Sequence, residues 1–419
     1  MQEVNGFAAL LSSPLDLESA LKAMDYRSWL GLVVKRRGNV SLGLCLINED
    51  TEEFSAVHGE FYGVNIKRTS DLEVDNLPSV LATSDGSYAF VLPVDDTLIF
   101  ARDQLGTKPL YYASGAGGFG IASDPRVLEQ SFSNVNLAEP GVLYKAAQNS
   151  LTQISFNTLN YNIQDVKHDE ALRTIARLLK ESVQRRVAHK RKIVLGFSGG
   201  IDSVILSILA AKYTKINAAT ICVRDSIDYN TCERIADRLG IHLKMIVIDE
   251  RVIKDTVKGL RNMMQFTSAM HASIACIVYL LAKLTRDEGA DALMLGQLAD
   301  ELFGGYARYL KYLKISAGKV SNAMFNDVKN AHRDNFCRDE IASSPFTRLL
   351  LPYASLDLVK YAVNLPVNLK LNSKTGARKI ILRELAKTLG IDDELANREK
   401  KAMQFSSGIF KIVSKLGYN

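Results

Sequence analysis

No stretch of this 419-residue chain approaches about 18 uninterrupted apolar residues, the run read as a membrane-spanning candidate. The longest candidate, 269–284, is broken by His271 and Lys283, so no membrane partner is expected. The opening residues, MQEVNGFAALLSSPLDLESALKAMDYR, place no basic segment before an apolar core, and a secretory leader is not expected either. The five cysteines (Cys45, Cys222, Cys232, Cys276 and Cys337) form no CxxC pair and no zinc-ligand spacing. Their odd, scattered count fits buried thiols in a reducing cytosol, so the expected location is cytoplasmic. The six histidines contain no HExxH, which leaves a zinc hydrolase without support. Excess charge is also scarce. Fifty-two Lys and Arg against 46 Asp and Glu leave +6, which permits an anionic ligand without asking for nucleic acid.

What is present is the composition of a globular chain, 47% apolar and 23% charged. The length suggests about two or three domains. Up to about residue 157 the chain reads as short strands divided by turn residues: Trp29–Val34, Val40–Leu46, Tyr88–Pro93, Thr97–Ala101 and Phe119–Ala122. That pattern predicts an antiparallel structure of two packed layers. From about residue 166 the period changes. Asp169–Val187 carries Leu172, Ile175, Leu178, Leu179 and Val183 at helical spacing. Short apolar runs at Lys192–Phe197, Ala218–Val223, Leu243–Ile248 and Ala292–Gly296 then alternate with helical stretches such as Val204–Tyr213 and Thr231–Leu239. Strands alternating with helices predict a parallel sheet, followed by a helical last hundred residues with a long run at Arg378–Leu389.

The segment that carries chemistry is Ile193-Val-Leu-Gly-Phe-Ser198-Gly199-Gly200-Ile-Asp202-Ser203. An apolar strand runs into Ser-Gly-Gly and a helix follows. Glycines let the backbone turn tightly, so that N–H groups can face an anion at the helix N-terminus. Asp202 would repel bare phosphate, and its presence beside such a loop suggests a bridging Mg²⁺. GxxxxGK[ST] is absent, so this is not a Walker A loop. Glycines at a strand-to-helix turn can also serve packing alone. Gly115-Ala-Gly117-Gly-Phe-Gly120 matches GxGxxG, yet a strand follows it instead of a helix, and a hairpin turn is the expectation.

Ser198-Gly-Gly-Ile-Asp202-Ser203 resembles the pyrophosphate loop of the ATP-pyrophosphatase superfamily. Ala299-Asp300-Glu301-Leu-Phe-Gly304-Gly305-Tyr306 resembles the ADE-x-F-G-G-Y signature of asparagine synthetases. Lys379-Ile-Ile-Leu-Arg383 is similar to that family's K-x-x-L-R helix, and Arg398-Glu-Lys400-Lys401-Ala-Met-Gln404 and Pro352-Tyr-Ala-Ser-Leu356-Asp357 match two further segments. The first half joins in. Ala101-Arg102-Asp103-Gln-Leu105-Gly106-Thr-Lys108-Pro109-Leu110-Tyr111-Tyr112 is similar to the ARDPLGIKPLYY stretch of the family's glutaminase domain, and His58-Gly59-Glu60-Phe-Tyr62-Gly63 to NGEIYN. The resemblance implies an N-terminal nucleophile-type (αββα) α+β layer domain over 1–160, then an α/β parallel-sheet ATP-pyrophosphatase domain with a helical C-terminal part over 161–419.

The departures are as informative. Asn5-Gly6-Phe7-Ala8 stands where a glutaminase would carry Cys-Gly-Ile-Ala, and an amide offers no nucleophilic thiol. His58 replaces an asparagine that serves glutamine binding, so the first domain is expected to be an inactive glutaminase. In the second half SGEGADE becomes Leu295-Gly296-Gln297-Leu298-Ala299-Asp300-Glu301, a family glutamate aligns with Gln265, and E-x-R-x-P-F becomes Arg348-Leu-Leu350-Leu-Pro352-Tyr353. Groups that would touch ATP are kept; those near the amino-acid substrate are changed.

By resemblance, Ser198, Gly199, Gly200 and Ser203 take the pyrophosphate, Asp202 and Asp300 share Mg²⁺, and Phe197, Ile221 and Gly296 line the adenosine. Lys379 is the expected catalytic residue, with Glu301 and Arg383 in support. Phe197 and Ile221 read equally well as strand core, and Lys379 as a solvated helix lysine. The implied activity is an ATP-dependent amide-forming ligase that adenylates aspartate or a related carboxylate and transfers it to ammonia or an amine. A homodimer is compatible with it. Two alternatives stand beside it: a β-lactam-synthetase-like or other carboxylate-amidating enzyme, and a catalytically impaired nucleotide-binding partner subunit.

Overall fold

The structure is a computed structural model that describes residues 3–49, 52–62, 76–115, 118–148, 150–398 and 402–417. The chain forms two units, one of residues 1–159 with 332–340, the other of 160–331 with 341–419.

In the first unit, alternation along β1 (Glu3–Leu11) sets the layering. Phe7, Ala9 and Leu11 enter one apolar cluster, while Ala8 and Leu10 enter another on the opposite face. The other strands are β2 (Gly31–Arg37), β3 (Val40–Leu46), β4 (Ala56–Tyr62), β5 (Asp85–Val94), β6 (Thr97–Arg102), β7 (Tyr111–Gly115), β8 (Gly118–Ala122), β9 (Val135–Leu137), β10 (Val142–Ala147) and β11 (Ser150–Ser155). One layer runs β11-β10-β6-β5-β4 and the other β9-β7-β8-β1-β3-β2. They join where Glu3 and Val4 of β1 pair in parallel with Val57 and His58 of β4.

Three apolar interfaces follow. Between the layers lie Phe7, Leu42, Leu44, Ala89, Val91, Phe100 and Ile121. Outside one layer, α1 (Leu17–Leu21) and α3 (Pro125–Leu128) cover Ala8, Leu10, Ala113 and Ala122. Outside the other, α2 (Leu77–Thr83) covers Val57, Tyr88 and Phe90. This is the αββα order, with the outer layers reduced to short helices.

Local differences from the sequence reading have simple causes. The strand expected from Trp29 starts at Gly31, because the Trp29 and Leu30 N–H groups both donate to the one Leu46 carbonyl and so break the one-to-one ladder. Val40–Leu46 coincides with β3. The GxGxxG-like segment is the β7–β8 hairpin, with Gly115 paired to Gly118; Ala116 and Gly117 lie outside the described residues.

The second unit opens with α4 (His168–Val187), which buries Ile175, Leu179 and Val183. A five-stranded all-parallel sheet follows, with strands β12 (Lys192–Gly196), β13 (Lys215–Cys222), β14 (Leu243–Val247), β15 (Ala292–Met294) and β16 (Arg348–Leu350). Their order is β14-β13-β12-β15-β16. The crossovers are α5 (Ile201–Ala210), α6 (Ile227–Arg238) and the pair α7 (Glu250–Arg261) and α8 (Ala269–Asp287). Beyond β15 come α9 (Ala299–Phe303), α10 (Ala307–Leu313), α11 (Ala317–Ala331), α12 (Cys337–Ser343), whose first four residues belong to the first unit, α13 (Leu356–Val363) and α14 (Ile380–Thr388). Among the described residues α8 alone is long and apolar enough to cross a membrane, and it is packed into this unit, with Ala272, Ala275, Cys276, Ile277 and Leu281 buried. All five cysteines are buried thiols.

Glu288, at the C-cap of α8, pins three adjacent strands. Its carboxylate accepts from Lys192 on β12 at 3.0 Å, Asn217 on β13 at 2.7 Å and Lys244 on β14 at 2.5 Å. The hydrogen bonds from Lys244 and then Lys192 hold this carboxyl at about 2, against an ordinary 4.5. A carboxylate depressed on folding contributes stability that is fully present above the unfolded value and lost as pH falls through the folded one. Glu288→Gln should therefore melt a few degrees below the wild type at neutral pH, and the gap should close between pH 4.5 and about 2. Melting curves of both proteins across that range check it.

Candidate active site

Strand order creates the site. From β12 the chain crosses to β13 on one side, and β15 then returns to the other side of β12. Neighbouring connections that leave in opposite directions open a crevice at the carboxyl ends of the strands. Two segments meet there: residues 197–200 after β12 and residues 295–298 after β15.

The first segment turns through Gly199, at φ +62°, into α5. A Cβ on Gly199 would stand 2.8 Å from Ile235 Cδ1 and 3.3 Å from Arg398 Nη2, so the turn has room only for glycine. Gly200 is the N-cap of α5 and carries no side chain to satisfy the first N–H groups, which leaves them facing the crevice. Ser203 Oγ donates to the Gly200 carbonyl at 2.9 Å and accepts from the Ser198 N–H at 3.3 Å, closing the loop on itself. Arg398 Nη2 donates to the Gly199 carbonyl at 3.1 Å.

In the second segment Leu298 sits at φ +77°, buried, as the N-cap of α9. A left-handed conformation at a bulky residue costs about 1–2 kcal/mol. The backbone thus takes a glycine-like turn although the side chain is leucine. That turn presents Asp300 in the first turn of α9.

The decisive contact joins the two segments to a third. Lys379 Nζ lies 2.5 Å from Asp202 Oδ2 and 2.6 Å from Asp300 Oδ1. Burial alone would depress the ammonium, but Asp202 and then Asp300 outweigh it and hold its pKa well above the ordinary lysine value. Lys379 is not the solvated helix lysine that its neighbourhood in sequence allows. It stands at φ +56° just before α14, so the expected helix from Arg378 begins only at Ile380.

Residues not singled out as site residues from sequence hold this arrangement. Tyr353, fully buried, donates from its hydroxyl to the Asp202 carbonyl at 3.2 Å. Arg378 donates to the Gly305 carbonyl. Gly305 is enclosed: a Cβ there would stand 1.6 Å from Asp300 Oδ1 and 2.5 Å from Lys379 Cε. Its place beside Asp300 in the Gly304-Gly305 pair was the only sequence signal for it.

The expected residues separate into groups. Ser198, Gly199, Gly200, Asp202, Ser203, Asp300 and Lys379 come together at the crevice. Gly296 lies at its edge, its Cβ direction 3.4 Å from Asp202 Cβ. Phe197 and Ile221 are buried almost completely at the ends of β12 and β13, as strand core would be. Glu301 is buried and accepts from the Tyr306 hydroxyl at 2.6 Å. Arg383 donates to the carbonyls of Arg378 at 2.6 Å and Ala396 at 2.9 Å, which ties the segment carrying Lys379 to the chain before Arg398. Gln265 is exposed between α7 and α8. Lys400, Lys401 and Gly63 lie outside the described residues.

Among the described residues no three His, Cys, Asp or Glu side chains converge as a self-sufficient metal cage. Asp202 and Asp300 offer oxygen donors that already share one cation, the donor set that suits Mg²⁺ when nucleotide phosphates supply the rest.

The Asparagine synthase family profile matches residues 174–338 and 314–413, more than half of the chain and all of this crevice. This chain belongs to the asparagine synthase family. A Glutamine amidotransferase domain profile matches residues 46–130 in the first unit. Among relatives, a Methanocaldococcus jannaschii protein named for asparagine synthetase (glutamine-hydrolyzing) is 25% identical over 89% of this chain and 82% of its own. The nodule asparagine synthetase (glutamine-hydrolyzing) of Pisum sativum is 22% identical over 87% of this chain and 68% of its own. A solved NMN synthetase from Francisella tularensis aligns with 60% of this chain and 87% of its own at 14% identity and a TM-score of 0.32, too distant to carry a functional reading.

In this asparagine synthase family member, Asn5 is the residue that the sequence places where a glutaminase would carry a cysteine. Asn5 is buried inside β1, and its amide Nδ2 donates to the Arg27 carbonyl at 2.8 Å.

Proposed function

We propose that this chain is an ATP-dependent, AMP-forming carbon–nitrogen ligase that adenylates a small carboxylate, aspartate or a relative, and transfers the acyl group to ammonia or an amine. The observation that carries this reading is Lys379 between Asp202 and Asp300 at the mouth of the Ser198–Ser203 loop. A substrate carboxylate oxygen attacks the α-phosphorus, the bond to the β-phosphate bridging oxygen breaks, and pyrophosphate leaves. The amine nitrogen then attacks the acyl carbon, AMP departs, and the nitrogen loses a proton.

Negative charge builds on the phosphates in the first step. The N–H groups of Gly199 and Gly200 and the hydroxyls of Ser198 and Ser203 would hold the leaving pyrophosphate, being already fixed by the loop. Mg²⁺ held by Asp202 and Asp300 would neutralise phosphate charge when bound. Lys379 would reach the α-phosphate oxygens, then the oxyanion of the tetrahedral adduct. Phe197, Ile221 and Gly296 would border the adenosine, and Arg383 and Glu301 would keep Lys379 and Asp300 in position.

Pyrophosphate release with aspartate plus ammonium, set against aspartate plus glutamine, tests the reading. Turnover with ammonium and none with glutamine alone is expected, because Asn5 has no thiol to open an amide. ATP–pyrophosphate exchange across a carboxylate panel names the acceptor. Exchange with none of them would favour a nucleotide-binding partner subunit.

A further inference from the structure

We propose that Glu340 is a tethered internal ligand of the first unit. Its carboxylate occupies the buried corner formed by His58 and Lys108 and so closes that corner to a free amino acid. This deepens the reading that nitrogen arrives as ammonia or an amine, and rests on it only for which amino acid, glutamine, is shut out.

Residues 332–340 belong to the first unit, although they stand far along the chain from β1–β11. Their packing is close: a Cβ on Gly106 would stand 2.9 Å from His332 Cβ. Glu340 Oε1 lies 3.0 Å from His58 Nε2, and its Oε2 accepts from Lys108 Nζ at 2.7 Å. The three side chains are 4%, 2% and 6% exposed. Burial pushes the His58 imidazole down to about 4, so Lys108 supplies the countercharge. Lys108 reaches across β4 because residue 59 is glycine: at φ +106° a Cβ there would meet Lys108 Cε at 3.1 Å and the Ser87 carbonyl oxygen at 1.9 Å.

The corner adjoins Asn5 and holds His58, the two positions at which the sequence differs from the glutaminase pattern it resembles. His58 pairs with Val4, the residue before Asn5, and the Arg27 guanidinium donates to the Asn5 carbonyl at 3.3 Å. Glutamate has the side-chain length of glutamine and presents a planar, two-oxygen head. Held by the chain, it competes at an effective concentration in the millimolar range or above.

Removing the carboxylate would leave Lys108 as a buried, uncompensated cation, the costly way to break a buried pair. In full-length protein, Glu340→Ala is expected to lower the melting temperature by roughly 10 °C. The fragment it removes has the size of acetate. Acetate should therefore restore several degrees to this variant and none to the wild type, while acetamide and chloride at equal ionic strength restore none. Equal acetate response of variant and wild type, or an unchanged melting temperature, would overturn the proposal. If Glu340→Ala does not fold, the isosteric Glu340→Gln takes its place. Adding Lys108→Met should then recover part of its loss; strictly additive losses would overturn the proposal. In the wild type, Arg27 Nη2 and His58 Nδ1 have no partner among the described residues. Glutamine added to the wild type should leave its melting temperature unmoved, and a rise would show an open corner and refute the internal ligand.

Discussion

Lys379→Met is expected to slow ATP-dependent pyrophosphate release by at least about 100-fold, the scale seen when one preorganised donor to a developing charge is removed. Methionine keeps much of the side chain's length and its apolar packing but carries no charge. The lysine contacts two carboxylates at 2.5 and 2.6 Å, so its head group is fixed before any substrate arrives. A preorganised cation need not be reoriented as charge develops on the phosphates. The fold should survive, because Lys379 precedes α14 and is not part of its buried face, formed by Ile381, Leu382 and Leu385. Two measurements together check the idea: steady-state pyrophosphate release and a thermal melt. A rate within tenfold of wild type would assign the phosphate charge to another group.

Gly305→Ala is expected to be comparably damaging for a different reason. The new methyl would stand 1.6 Å from Asp300 Oδ1, 2.5 Å from its Cγ and 2.5 Å from Lys379 Cε, distances that no rotamer change of a few tenths of an ångström relieves. Asp300 and Lys379 must both move, so activity should fall about 100-fold and the melting temperature should fall with it. Gly318→Ala is the matched control. Gly318 lies in α11 with nothing within 4 Å of its Cβ direction, and alanine there should be neutral or stabilising by up to about 1 kcal/mol. Wild-type activity in Gly305→Ala would mean that the lysine–carboxylate cluster is dispensable.

The two variants separate chemistry from geometry. One removes a charge and leaves its surroundings; the other keeps every charged group and displaces it. Loss of activity in both is the pattern expected of a preorganised site.

Much of this was legible along the chain. The change from period 2 to period 3.6 near residue 160 came from side-chain alternation. The Ser198-Gly199-Gly200 turn came from the conformational freedom that glycine alone has. Where reading failed locally, a hydrogen bond or a dihedral was the cause. Trp29 and Leu30 share the one Leu46 carbonyl outside the ladder, and Lys379 took a left-handed backbone that no helical pattern reveals.

By itself, then, the sequence determined which segments become strands and helices and which turns need glycine, because those depend on neighbours a few residues away. It also carried the chemistry of the loop, since Ser, Gly and Asp are adjacent there. The tertiary structure decided the pairings. Lys379 meets Asp202 across 177 positions and Glu340 meets His58 across 282. The first contact exists because β15 returns beside β12 and opens the crevice; the second because residues 332–340 pack with the first unit. Neither spacing has a period. A burial pattern records that a side chain is shielded from water, and only strand order and chain path record what it is shielded by.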